Sequence, residues 1–468
     1  MKFAPAEIQT VAWSEPVWDR TAAGSFPRDW SQYQHFDKSS SASEFTHTTN
    51  LVGGNTMHNL LFWIRGALGQ FEAFGNGWEH ERVLDIYHTL EAMYSARGPD
   101  GDLLNSKKSG MASSLDDIVM ALFKANGFDE VPARELGEAS GKAIAWTEWT
   151  ISGEGRRLSS GKVFIDPIRE LPGFSLLTNA IVSNVRFEGH KVVGITYKDR
   201  LTSELKHIDA DEVILSAGGL FTPQLLMASG VGPAADLKRH NITVVADLPV
   251  GKNYHSRSKV TIFYCFKGDI QRPNGKVKFA AYPSLGKKSP SSFMSTQPNM
   301  WSMVKSPMAD GPYADLAIWL DTNNGFGPAP AKCENGEHPI LFLVSNTLPR
   351  SRGEVSINGR GEMVYQPNFL KEPHDAAVIS YGIDLIRESL AKDMRFRELT
   401  PTATSQKEYI YSKAGTWWQD SATAPIGPVV DSRLKVKGLL GLRVADASVH
   451  PSMSNTPPSA MCHVTGFR

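Results

Sequence analysis

At 468 residues, with 41% hydrophobic and 21% charged, the chain has the balance of a globular protein and length for two or three domains. Basic and acidic residues number 49 each and the pI is near 7.2, so neither nucleic acid nor an anionic membrane is indicated as a partner. No stretch approaches the roughly 18 consecutive apolar residues of a membrane span.

The opening MKFAPAEIQTVAWSEP holds one lysine and no apolar core of signal-peptide length, which makes the cytoplasm the default compartment. Residues 1 to about 50 read as loop with short extended pieces. They contain no strand, G-x-G-x-x-G turn and helix of the dinucleotide-binding kind. The nearest string, Gly230 to Ala235, follows a helical stretch, the wrong context for such a turn. Leu51 to Gly66 reads LVGGNTMHNLLFWIRG: two glycines that let the backbone pass close to a flat group, then His58, Asn59, an apolar run and Arg65-Gly66.

Val83, Leu84, Ile86, Tyr87, Leu90 and Met93 recur at helical spacing, and His80 and His88 on that helix read as ordinary histidines. Ser114 to Asn126 is a second helix, stopped by Gly127. After Ser159 the pattern turns to strands, with a hairpin at Glu188-Gly189-His190. ADEVILSAGG reads as a buried strand ending on glycines. Thr222 and Pro223 then read as N-cap and first residue of the helix PQLLMAS, whose N-terminus could face an anion or cofactor. Residues 256 to 350 are mixed, with LAIWLDT and HPILFLVSNTL as strands. RGEVSINGRGEMVYQPNFL gives two strands about an Asn-Gly turn, EPHDAAVISYGIDLIRESLA a helix with Pro373 in its first turn, and LRVADAS a strand before a turn-rich end. Cys265, Cys333 and Cys462 are too scattered for a disulfide framework or zinc site, and each is expected buried and reduced.

LVGGNTMHN with its RG, SAGGLFTPQLLMASGVGP, and VVDSRLKVKGLLGLRVADAS together resemble the signatures of the glucose–methanol–choline (GMC) flavoprotein oxidoreductases, nearest to choline oxidase-like members. The resemblance covers most of residues 25 to 468. It implies an α/β (α+β) chain: an FAD-binding domain incomplete at its N-terminus, beside a β-sheet substrate domain. Residues 1–66, 100–255 and 429–468 would form the FAD domain, and 67–99 with 256–428 the substrate domain. Gly53, Gly54 and Asn59 would line the flavin. Val182 would lie near the adenine, Gly218 and Gly219 under the cofactor, and Asp446 and Ala447 near the ribityl and pyrophosphate. His58 stands where choline oxidase-like members bond covalently to the flavin. Asp446 also suits a turn or helix cap.

The family's chemistry is hydride transfer from an alcohol carbon to flavin N5, with a base at the hydroxyl. Here the HP-x-GT motif aligns with 412–416, putting Ser412 at the base position. Asn455 is the nearest second catalytic group, with Thr456 and Pro457 as the alternative occupants of that slot, and His450 could serve as base from a shifted position. The chain also stops, at Gly466-Phe467-Arg468, where the family continues into a last helix. The expected function is FAD-dependent oxidation of a small-molecule alcohol, in a truncated form or not, by oxidase or dehydrogenase chemistry and in an unassigned oligomeric state. The other reading is a non-catalytic relative that binds FAD weakly or not at all.

Overall fold

The structure, a computed structural model, describes residues 52–467 apart from 58, 99–100, 108–111, 153–156, 272–298, 322–332 and 400–404. It is organised by one large sheet that separates two apolar cores, with a third core beyond (Val83, Leu226, Val444 and Val464 among its members).

Seven strands run across this sheet in the order Phe396–Glu398, Ser258–Lys267, Glu337–Asn346, Leu316–Asp321, Met300–Val304, Lys142–Trp146 and Asp129–Glu130, and the short strand Gly415–Thr416 pairs with the start of Ser258–Lys267. Every pairing is antiparallel except the last on the path. Alternate side chains go to opposite faces. Ile144, Val260, Ile262, Ile318, Phe342 and Val344 pack beneath the helices Ser114–Ala125 and Pro373–Leu390. Ala145, Trp301, Met303, Ala317, Trp319 and Leu343 point the other way and meet Leu61, Phe62 and Ile64 of the glycine-pair segment. Phe62 sits edge-on to Trp301 and Trp319, at centroid distances of 5.2 and 5.7 Å.

The third core joins the helices His80–Ser95, Gly218–Ala228 and Ser459–Phe467 to a parallel pair, Val213–Leu215 with Leu442–Val444. A three-stranded meander, Ala180–Glu188, Lys191–Asp199 and Leu205–Asp209, lies beside them, with Gly189 taking φ +58° in the expected hairpin turn. His80–Ser95, expected in the substrate domain, packs in this core. The segment from Ser114 to Trp146, expected in the FAD domain, supplies a helix and two strands to the sheet side. Periodicity shows that an element has an apolar face, not which core receives it.

Several local expectations change. The helix expected from Pro223 starts at Gly218, so Pro223 is inside it. Its strand Val213–Leu215 is not fully buried, since Ile214 is 56% exposed. Residues 459–467, read as part of a turn-rich end, are helical. Cys265 and Cys333 are bonded to one another across a separation of 68 residues, and only Cys462 of the three is free. Among the described residues no helix is long and apolar enough to cross a membrane.

Candidate functional site

Gly53 and Gly54 both have positive φ, +108° and +53°, which an L side chain adopts only under strain. They are not equivalent. A Cβ on Gly53 would stand 3.0 Å from the backbone nitrogen of Gly161, whereas one on Gly54 would meet nothing within 4 Å. Gly53 is therefore the side of the turn pressed against the protein, and Gly54 the side left open. The turn is tied down by Ser160, whose Oγ donates to the Gly53 carbonyl at 2.9 Å and whose N–H donates to Thr56 Oγ1 at 2.9 Å. Asn59 accepts at Oδ1 from the Leu61 N–H (3.1 Å) and from Arg157 (2.9 Å), and Arg157 also donates to the Asn59 carbonyl at 2.7 Å. His58 lies outside the described residues.

A second open glycine stands at the carboxyl end of the parallel pair. Gly218 has φ +88° and a Cβ there would meet nothing within 4 Å, while Gly219 is closed by the Asp420 carbonyl. Asp446 follows the partner strand. Its carboxylate accepts from Gly218 N–H at 2.8 Å, Thr222 Oγ1 at 2.5 Å and Ser448 N–H at 2.8 Å. It thus holds the first turn of the Gly218–Ala228 helix in place and caps its own turn. Ala447 accepts at its carbonyl from Ala422 N–H, 3.0 Å. Val182 is half-buried in the meander beside a register shift, paired with Tyr197. The ends of parallel strands, with a helix N-terminus behind them, are where α/β sheets take their ligands. Two glycines open on one side and backed by rigid hydrogen bonding on the other fit a planar, phosphate-bearing cofactor such as FAD.

Among the described residues no hydrogen bond joins the three expected catalytic groups. Ser412 is exposed at the end of the helix Gln406–Lys413, with its Oγ given to the Tyr409 carbonyl at 3.1 Å. Asn455 is fully buried and committed: Oδ1 accepts from Ala67 N–H (3.2 Å), and Nδ2 donates to the Gly137 carbonyl (2.7 Å). It ties the end of the chain to the segment after Arg65-Gly66. His450 is buried beside Phe74, with Nδ1 unbonded, and burial alone pushes it down to about 4. It is neutral at pH 7 and a weak proton acceptor.

Sequence reading missed the cationic corner beside this segment. Arg257 is fully buried; Nη2 donates to the carbonyls of Ser454 and Thr456, and Nε and Nη1 have no partner. Two residues on, Lys259 lies with its Nζ 4.4 Å from the Trp418 ring centroid. Their spacing by two at the start of a strand was the available signal, but it sits in SRSKV, where nothing indicates burial.

Models of the GMC oxidoreductase family match residues 37–258 and 349–466. The alcohol dehydrogenase [acceptor] of Pseudomonas putida is 30% identical over 450 residues, 86% of this chain and 77% of that protein. The choline oxidase of Arthrobacter globiformis is 30% identical over 463 residues, 89% and 79% respectively. Among solved structures, pyridoxine 4-oxidase from Mesorbium loti superposes with a TM-score of 0.75 at 19% identity, covering 99% of this chain and 90% of that one. A formate oxidase gives 0.72 at 19% identity, covering 91% and 87%.

Proposed function

The chain belongs to the GMC oxidoreductase family, whose members are FAD-dependent enzymes acting on alcohols, and from that premise we propose that it oxidises a small-molecule CH–OH group to a carbonyl. The observation that carries this reading is the pair of open glycine turns, at Gly53-Gly54 and at Gly218 under Asp446. FAD bound there would supply the hydride acceptor. Gly54 and Gly218 would let it approach the backbone, Asn59 and Arg157 would keep the first turn rigid, and Asp446 would hold the second. Val182 and Ala447 are the remaining cofactor contacts we assign, and His58 the candidate for a covalent flavin link.

The protein's own contribution to proton removal needs a different register from 412–416. HP-x-GT fits Gln419 to Thr423 better, because Ala422 has φ +62°, a conformation natural to the glycine of the motif. Thr423 there donates to the Gly219 carbonyl at 2.6 Å, and Ala422 and Ala424 bond the Ala447–Ser448 backbone. This register puts Gln419 in the base slot, with its Oε1 buried and unbonded. A glutamine carbonyl accepts a hydrogen bond from a substrate hydroxyl and orients it, but takes no proton at neutral pH. Slow turnover follows.

The experiment is FAD titration of the purified full chain, followed by visible absorbance and by alcohol oxidation with a dye acceptor. Saturable uptake with slow turnover that rises in Gln419→His supports the reading. A chain that stays colourless in excess FAD belongs instead to the non-catalytic reading, which the absence of a base at 412 and 419 favours. For His58, a flavin-bearing peptide after acid precipitation and digestion is the expected mark of a covalent link, and its absence ends that assignment.

A further inference from the structure

Arg257 is a buried cation and Lys259 a half-buried one, and among the described residues neither is paired with an anion. Lys259 lies on the sheet face that carries Trp319 and Leu343, because it is opposite Ser345 while Thr261 is opposite Leu343 in the ladder, and Arg257, just before the strand, stands by Trp417 of the same core. Arg257 reaches the carbonyls of Ser454 and Thr456, the loop whose side chains close on Gly66, so it stands where the sheet meets the glycine-pair segment. A buried guanidinium satisfied by two carbonyls keeps most of its charge unanswered. Burial alone pushes Arg257 down to about 9 and Lys259 to about 8, with no neighbouring carboxylate opposing the shift. Lys259 is also open on one side. Its ladder partner Gly415 would point a Cβ to the same face, and that Cβ would meet nothing within 4 Å. The walls are aromatic: Trp418 lies beneath the ammonium and Trp417 6.0 Å from the guanidinium carbon.

We propose that Arg257 and Lys259 form a subsite for the carboxylate of an alcohol substrate with an apolar or aromatic frame, selecting anionic alcohols and rejecting quaternary-ammonium ones. The carboxylate would complete the two free N–H groups of Arg257 and pair with the ammonium of Lys259, with the frame against Trp417 and Trp418. A quaternary ammonium placed there would meet two like charges. The proposal deepens the alcohol-oxidation reading and names its substrate class.

The test is a binding titration of the full chain, with and without added FAD, read by tryptophan fluorescence and thermal shift. Three probes share one shape: benzoate, benzyl alcohol and benzyltrimethylammonium. Benzoate is expected to bind saturably, roughly tenfold or more tightly than the other two, a difference of about 1.4 kcal/mol. Lys259→Gln, at a half-buried position, should remove that preference, and Arg257→Lys should retain part of it. Equal binding of the three probes, tighter binding of the cation, no saturable benzoate binding, or an unaltered preference in Lys259→Gln overturns the proposal. So does loss of benzoate binding on FAD loading, which would assign the cations to the cofactor. Benzoate binding in a chain that takes up no FAD would leave the subsite standing while the oxidation reading fails. FAD uptake and turnover of neutral alcohols without benzoate competition would be the reverse.

Discussion

Pro223 has no N–H to give the Gly219 carbonyl, and Thr423, 204 residues beyond Gly219, donates its hydroxyl to that oxygen at 2.6 Å. The same threonine fixes the turn that carries Gln419. Thr423→Val should therefore lower stability by about 1–3 kcal/mol, read as a shifted urea midpoint with unchanged slope; a midpoint within error of the parent refutes the tie. Histidines give the second residue-scale prediction. Burial pushes His255 down to about 3 and His450 to about 4, each against about 6.5 when unfolded. Below pH 6.5 the unfolded chain thus binds protons that the folded chain refuses. Stability should fall as pH drops from 6.5 toward 4, by up to about 1.4 kcal/mol per pH unit for each histidine, and be flat for these groups above 6.5. Urea midpoints at pH 7 and 5 check this, and His450→Gln should reduce the difference. Of the residues singled out in the sequence, Gly53, Gly54, Asn59 and Asp446 sit at tied turns, whereas Ser412 does not. Glycines in a fixed pattern announce a backbone conformation, but a motif whose histidine and glycine are both replaced, as at Gln419 and Ala422, leaves only its geometry to find it by.

At the scale of elements, the helices and the hairpin were legible because they carry their own signals. Ser113 caps Ser114–Ala125 with a full capping box, Gly127 follows with φ +81°, and Gly189 turns the hairpin. The two central strands Met300–Val304 and Leu316–Asp321 carry no burial alternation, because both of their faces are buried. Leu316–Asp321 is buried at every position, so its period-two pattern is erased. The two faces can be told apart only by what each meets, helices on one side and the glycine-pair segment on the other. That segment gives an element-scale prediction. Gly161→Ala would bring a Cβ to 2.7 Å from the Val52 carbonyl, and Gly54→Ala would meet nothing. Gly161→Ala should lower thermal stability by several degrees. Gly54→Ala should cost about 1–2 kcal/mol of backbone strain yet weaken FAD uptake more than its stability loss explains. Equal stability losses with unchanged uptake would remove Gly54 from the cofactor surface.

On the scale of the molecule, neither side of the chain is a continuous piece. Lys142–Trp146 pairs with Met300–Val304, and Val213–Leu215 with Leu442–Val444, so each half is closed by residues distant in sequence. This explains why segment boundaries drawn along the sequence put the His80–Ser95 helix on the other side from its packing. The family matches stop at 258 and resume at 349, leaving out the strands that bear Trp301 and Trp319 and, one residue past the limit, Lys259. The Cys265–Cys333 bond ties the strand Ser258–Lys267 to the chain just before Glu337–Asn346 and closes a 68-residue loop. By chain entropy a loop of this length contributes about 4 kcal/mol, so reduction should lower the melting temperature with Cys462 as the internal control, since it forms no bond. An unchanged melting temperature would mean that the bond is not formed in the purified protein.

That bond also writes a history into the molecule. Reducing compartments keep such pairs as thiols and oxidising ones preserve them, so the number of cysteines that can be alkylated after denaturation is a postmark of where a given molecule matured. One labelled cysteine, Cys462, would mean passage through an oxidising space and set aside the cytoplasmic default read from the opening residues. Three would mean that the chain works with this pair as thiols.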